Sequence, residues 1–132
     1  MNHTICYISK AVDELDETGV KNIFSTTLRN NSKDNITGIL VFHEGNFLQV
    51  LEGKKKKLVK LFAKIFEDNR HHRILTVIDH FNKRRIFETY ATQFSVVKNK
   101  EDLTRIKTYL EQNKDNFQYS GNILRLLEPF LI

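Results

Sequence analysis

Ile36-Thr37-Gly38-Ile39-Leu40-Val41-Phe42, His43-Glu44-Gly45-Asn46 and Phe47-Leu48-Gln49-Val50-Leu51 follow one another without a break. The first and third segments are short apolar runs of the kind that form buried strands. The four residues between them read as a hairpin turn, with Gly45 supplying a positive φ. Glu52-Gly53 punctuates the end. Side chains alternate across a strand, so Gln49 shares a face with Phe47 and Leu51. An amide in that position costs about 1–3 kcal/mol if it is left unpaired. Something must bond to it.

Outward from the hairpin, the pattern alternates between strands and helices. Upstream, His3 to Ser9 reads as a first strand with Ile5 and Tyr7 on one face. Asp16 or Thr18 can cap the helix that follows. Val20, Ile23, Phe24, Thr27 and Leu28 form its apolar stripe, and Asn30-Asn31-Ser32 ends it. Downstream, Leu58, Leu61, Phe62, Ile65 and Phe66 mark a second helix. Ile74 to Phe81 predicts a fourth strand and Ile86 to Val97 a fifth. The order β-α-β-β-α-β-β contains the split βαβ pattern of ferredoxin-like folds. The expected class is therefore α+β, an antiparallel or mixed sheet with both helices on one face, since each has one stripe to bury. Leu103, Ile106 and Leu110 mark a third helix. Ile123, Leu124, Leu127 and Leu131 mark a fourth, which Pro129 ends early. These two are expected to cover the other face. The expected organisation is 1–98 for the sheet domain and 99–132 for a helical extension packed on it.

The chain has 132 residues, 40% hydrophobic and 28% charged, which suits one soluble core. No apolar run approaches the ~20 residues of a membrane span. The N-terminus does not read as a signal peptide, and Cys6 is the sole cysteine, so a reducing cytoplasm is the expected home. The net charge is +5, with one run, Lys54-Lys55-Lys56-Lys57. A solvated surface explains that run most simply. It opens a helix, however, where the macrodipole disfavours cations, and this mildly favours a nearby anion such as a cofactor phosphate.

A few residues invite a ligand. Tyr7 lies on the strand expected beside the one carrying Gln49, so a Tyr–Gln hydrogen bond is in reach; alone, it could simply stabilise the sheet. Asn30 and Asn31 suit a helix C-terminus, or could offer an amide's donor and acceptor to a ring edge. Arg70 could be solvated or make a bidentate contact. His71-His72 lacks the partners of a metal site, and Cys6 reads as a core residue rather than a nucleophile. Phosphate loops and hydrolase elbows are absent.

Together these residues closely resemble the BLUF domain, the sensor of blue light using FAD. The resemblance runs through Tyr7-Ile8-Ser9, Arg29-Asn30-Asn31, Ile36 to Leu40, Gly45-Asn46-Phe47-Leu48-Gln49-Val50-Leu51-Glu52-Gly53, Asp68-Asn69-Arg70-His71 and Arg85-Ile86-Phe87. It covers residues 3–97, and the tail resembles that of short stand-alone members. The resemblance implies a flavin between the two helices: FAD, with FMN or riboflavin as alternatives, since all share the ring. It implies that Asn31, with Asn30 beside it, and Arg70 and His71 bind the ring. It implies that Tyr7 donates an electron and proton and that Gln49 rearranges its hydrogen bonds to the flavin. The implied protein is a photoreceptor and not an enzyme. With no fused effector expected, its output passes to an unknown downstream signalling protein or through a homo-oligomer. The family's usual Trp and Met on the last strand are Tyr90 and Thr92 here, a possible relay. The competing readings are a small phosphatase on the same fold, which lacks the arginine-bearing phosphate loop, and a basic nucleic-acid-binding module, which lacks interleaved aromatics.

Overall fold

The computed structural model describes residues 2–90 and 93–131. The chain divides into two compact units, Met1–Val96 and Val97–Ile132. The first is built on a sheet with strand order β4-β1-β3-β2-β5. Its strands are β1 (Asn2–Ala11), β2 (Thr37–His43), β3 (Asn46–Lys54), β4 (His71–Phe81) and β5 (Phe94–Val97). Helix α1 (Glu17–Lys33) follows β1, and α2 (Lys55–Glu67) follows β3. This is the ferredoxin-like α+β arrangement that the hairpin and its flanking patterns predict. Strand β1 pairs antiparallel with both β3 and β4, and β2 pairs antiparallel with β3.

Local chemistry sets the boundaries. The β2–β3 hairpin turns on Glu44 and Gly45, with φ of 48° and 79°. Two successive positive φ values give the primed turn whose twist matches the strands. Asp16 caps α1 by accepting from the Gly19 amide at 2.8 Å, as its place before the apolar stripe predicts. The helix runs past Asn30-Asn31-Ser32 to Lys33, and Asp34 closes it. Helix α2 starts on the lysine run with no side-chain cap and no acid in its first turn. Lys57 Nζ instead donates to the Asp34 carbonyl, 3.1 Å away at the end of α1. That carbonyl end carries partial negative charge, so it offsets part of the dipole penalty on the run.

Ile5, Leu40, Phe47, Leu51, Leu58, Ile36 and Phe94 form the core on the helix side of the sheet, with Ile23, Phe24, Leu61, Phe62 and Ile65 packed against it. Leu28, expected in the α1 stripe, lies 40% exposed.

The fifth strand is a correction. It covers only Phe94–Val97, not Ile86 to Val97; residues 86–89 form a turn. The reason is long-range. The buried Glu52 carboxylate accepts from the Ile86 and Phe87 amides, which a longer strand would spend on a neighbour. Within the second unit, α3 (Lys100–Gln112) and α4 (Ser120–Leu127) contact each other. The Ser120 hydroxyl donates to the Leu110 carbonyl at 2.9 Å. A 3-10 turn, Glu128–Leu131, takes over one residue before Pro129, in keeping with the early end that proline predicts. No helix among the described residues is long and apolar enough to cross a membrane.

Candidate functional site

The β1–β3 register sets Tyr7 directly opposite Gln49. Both point to the helix side and are almost fully buried. Gln49 Nε2 donates to the Tyr7 hydroxyl at 2.6 Å. The other end of the amide, Gln49 Oε1, is buried without a partner. Buried polar atoms are rarely left so, and such an atom marks a place where a further group belongs.

That group has room. Tyr7 and Gln49 line a cleft of about 470 Å³, counted with its open side, between Ile23, Thr26 and Thr27 of α1 and Ile65 of α2. Leu40 and Phe47 complete the apolar wall, and Asp68, Arg70 and His71 form the polar one. The lining is that of a small-molecule site, apolar with a few placed polar groups. The chemistry of this lining suits an aromatic heterocycle with hydrogen-bonding edges: aliphatic walls for its faces and the unpartnered Gln49 carbonyl for an edge.

Burial is the main cause that holds the Tyr7 phenol well above the ordinary tyrosine range; the Gln49 hydrogen bond opposes it and the Asp68 charge adds to it. The phenol is therefore neutral at physiological pH. Because its oxygen accepts from Gln49, its proton is not spent on that bond. Phe62 stacks at a tilt against the ring, with centroids 5.5 Å apart.

His71 and Arg70 are held by neighbours. His71 Nε2 lies 2.6 Å from the Ile65 carbonyl and Nδ1 lies 2.8 Å from the Ser9 hydroxyl. A carbonyl only accepts, so Nε2 carries the proton. Arg70 makes a two-pronged contact with Asp68, Nε at 2.9 Å from Oδ1 and Nη2 at 2.5 Å from Oδ2. That pairing holds the Asp68 carboxyl below the usual carboxylate range and raises Arg70. Asp68 is the residue that reading the chain alone passed over. Its signal was its place two positions before Arg70, where it also accepts the Arg70 amide.

Tyr7, Gln49, Arg70 and His71 thus line one cleft, and Asn30, Asn31 and Tyr90 are not in its lining. Asn30 is exposed. Asn31 is buried in the last turn of α1, and its Nδ2 has no partner, a second amide atom awaiting one. The Tyr90 ring packs edge-on to Phe87 with centroids 6.1 Å apart. Thr92 lies outside the described residues.

Known proteins resemble this chain in sequence and fold. The family model for BLUF, sensors of blue-light using FAD, matches residues 3–93. The photoactivated adenylate cyclase subunit beta of Euglena longa is 39% identical over 74 residues, 56% of this chain and 9% of that protein. Klebsiella pneumoniae BlrP1, solved with FMN and cyclic diGMP and without metal ions, superposes with a TM-score of 0.72 at 27% identity, covering 99% of this chain and 34% of that one. BlsA in its photo-activated state superposes with a TM-score of 0.68 at 22% identity, a likeness of fold, covering 86% of this chain and 81% of that one. The chain thus spans a small part of its curated relative and about a third of BlrP1. With a family match over most of its length, the chain belongs to the BLUF family, the sensors of blue light that use FAD.

Proposed function

We propose that this chain binds a flavin in the Tyr7–Gln49 cleft and reports blue light by rearranging the hydrogen bonds of Gln49. The observation that carries this reading is the half-satisfied amide, with Nε2 bonded to Tyr7 at 2.6 Å and Oε1 buried without a partner. A bound flavin supplies absorption in the blue and, once excited, a strong oxidant.

The chain's own residues do the rest. Tyr7 is the tyrosine among the residues that line the cleft, and the proposed electron donor. Its raised pKa keeps the proton on in the resting state; an electron given up to the bound flavin would make the phenol a strong acid, and its proton would pass by way of Gln49 to that same flavin. Gln49 stands ready for that proton's departure: turning its amide exchanges donor and acceptor without moving the strand. Two arrangements of one side chain, differing only in which end faces Tyr7, form a bistable element of the kind a signal requires. Phe47, Leu40 and Ile65 exclude water, which sharpens the energetic difference between the two.

Arg70 and His71, which line the cleft, and Asn31, whose buried Nδ2 has no partner, are the residues proposed to hold the ring's polar edge, with Asn30 next to Asn31 in the chain. Arg70 shares its charge with Asp68 and needs only one prong for a carbonyl. The ring contacts suit FAD, FMN and riboflavin alike. The chain is proposed to act as a cytoplasmic sensor, not a catalyst. Its output goes to an effector protein or a second copy through the helices of residues 99–132. Tyr90 and Thr92 are the proposed relay.

The purified protein is expected to be yellow, and blue light is expected to move its absorption reversibly to longer wavelength. Tyr7→Phe and Gln49→Leu should each abolish that movement with flavin still bound. A protein that takes up no flavin, or a normal shift in either variant, refutes the reading.

A further inference from the structure

The face of the sheet away from α1 and α2 is apolar around Cys6, Ile39, Leu48 and Val50, all buried. At one end it turns polar. Thr4, Glu52 and Thr37 stand side by side on β1, β3 and β2 in mutual register. All three are buried, and Asn82 Nδ2 donates to Thr4 Oγ1 at 3.1 Å. A buried polar cluster in such a place is held together by its hydrogen bonds and fails if they are only partly made.

Glu52 is its centre. Oε2 accepts from the Ile86 amide at 2.5 Å. Oε1 accepts from the Phe87 amide at 3.0 Å and from the Thr37 hydroxyl at 2.9 Å. The two amides can only donate, which suits carboxyl oxygens that accept, while the Thr37 hydroxyl can donate or accept. Burial pushes the Glu52 carboxyl up; the hydrogen bonds from Phe87, Ile86 and Thr37 oppose that, and the Arg85 guanidinium adds a smaller countercharge. It is fixed in turn by Asn2 Oδ1 at 3.0 Å and the Asn35 carbonyl at 2.8 Å. One carboxylate therefore ties β2 and β3 to the turn at residues 86–89, and the Tyr90 ring rests on Phe87 in that turn.

The cluster also has a fixed relation to the cleft. Gln49 is three residues before Glu52 on β3, and Leu40 of the cleft wall is three residues after Thr37 on β2. Three strand residues span about 10 Å and end on the opposite face. Strands β2 and β3, which help line the cleft, thus each carry, through the sheet, a member of the cluster.

We infer that Glu52 is a positioning residue for the light response: it holds the Ile86–Phe87 turn on β3 so that rearrangement at Gln49 reaches Tyr90. This rests on the sensor reading above. A turn free of β3 would decouple the change in the cleft from the segment leading into β5.

The test uses the full chain with its flavin. Amide hydrogen exchange at Ile86 and Phe87 is followed in the dark and under blue light, beside the absorption shift. In the wild type, light should change exchange at these two amides by about tenfold, the scale of one charge-assisted hydrogen bond altered. Glu52→Gln, whose NH2 faces a donor, should keep the absorption shift but lose the light–dark difference. Thr37→Val removes only one of the three bonds and should reduce the difference without erasing it; it also serves if the Gln variant does not fold. An absorption shift with identical exchange in dark and light overturns the inference alone. So does an undiminished difference in Glu52→Gln, or in Thr37→Val if the first variant is unfolded. No absorption shift in the wild type overturns the sensor reading, and this inference with it.

Discussion

Replacing Tyr7 by Phe removes one hydroxyl and should cost more than the hydroxyl's own bond. Gln49 Nε2 loses its 2.6 Å partner while Oε1 already has none. The whole amide is then stranded in the interior, and an unsatisfied buried group costs about 1–3 kcal/mol. At this chain length each kcal/mol moves the melting temperature by about 4 °C, so flavin-free Tyr7→Phe should melt roughly 4–12 °C below wild type. Gln49→Leu strands only the phenol and removes the orphaned carbonyl, so its loss should be smaller. The double variant removes both polar groups of the pair and nearly keeps the volume. Replacing both partners of a buried bond by apolar groups of similar shape is close to neutral. It should therefore melt above Tyr7→Phe and within about 1 kcal/mol of wild type. The assay is a double-mutant cycle by thermal and denaturant unfolding without flavin, then the light-induced absorption shift with flavin. The expected outcome is a double variant that is stable and blind. A double variant whose loss equals the sum of the two single losses would refute the reasoning, because each side chain would then have its essential partner elsewhere.

Further perturbations follow from the same geometry. Arg70 depresses the Asp68 carboxyl, so Asp68 contributes stability above its unfolded value of about 3.9 and loses it as pH falls through its lower folded value. Asp68→Asn should be less stable than wild type at neutral pH, and the gap should close in acid; a constant gap from neutral pH into acid in paired melting curves would count against the pairing. Gly38 has a φ of 143°, and a Cβ there would run into the Val50 carbonyl, so Gly38→Ala should cost more than about 3 kcal/mol. Gly45 has open space around it and only its φ of 79° to accommodate, so Gly45→Ala should cost about 1 kcal/mol by denaturant titration. Cys6 is fully buried and burial pushes its thiol up to about 12, so a thiol reagent should label it only at the rate of unfolding. Rapid labelling of the native protein would contradict that.

What could be read in advance was whatever period and topology control. Alternation put Gln49 on an inner face, and the ferredoxin-like order put β1 beside β3, so the Tyr7–Gln49 contact followed from two independent regularities. The hairpin turn, the Asp16 cap and the stop at Pro129 are local chemistry and were equally legible. The length of β5 was not. Residues 86–89 have strand-like composition, and what bends them is Glu52, more than 30 positions earlier. Asp68 was hidden for a related reason. A carboxylate in a polar connection is unremarkable until its partner, Arg70, is seen gripping it at the mouth of a cleft. Asn30 and Asn31 could not be told apart by type; only the phase of α1, which continues to Lys33, buries one and exposes the other.

The direct pairing of Tyr7 with Gln49 has a consequence for how such a device can vary. Neither residue is placed by its own strand; the site exists only in the alignment of two. One residue inserted in β3 between Gly45 and Gln49 would carry the amide to the opposite face and leave Tyr7 facing a neighbour with no amide. The connection between β1 and α1 can lengthen without disturbing that alignment. If this pair carries the light response as proposed, that response is inherited as a count of residues, intolerant of a single insertion along one hairpin and indifferent to many elsewhere.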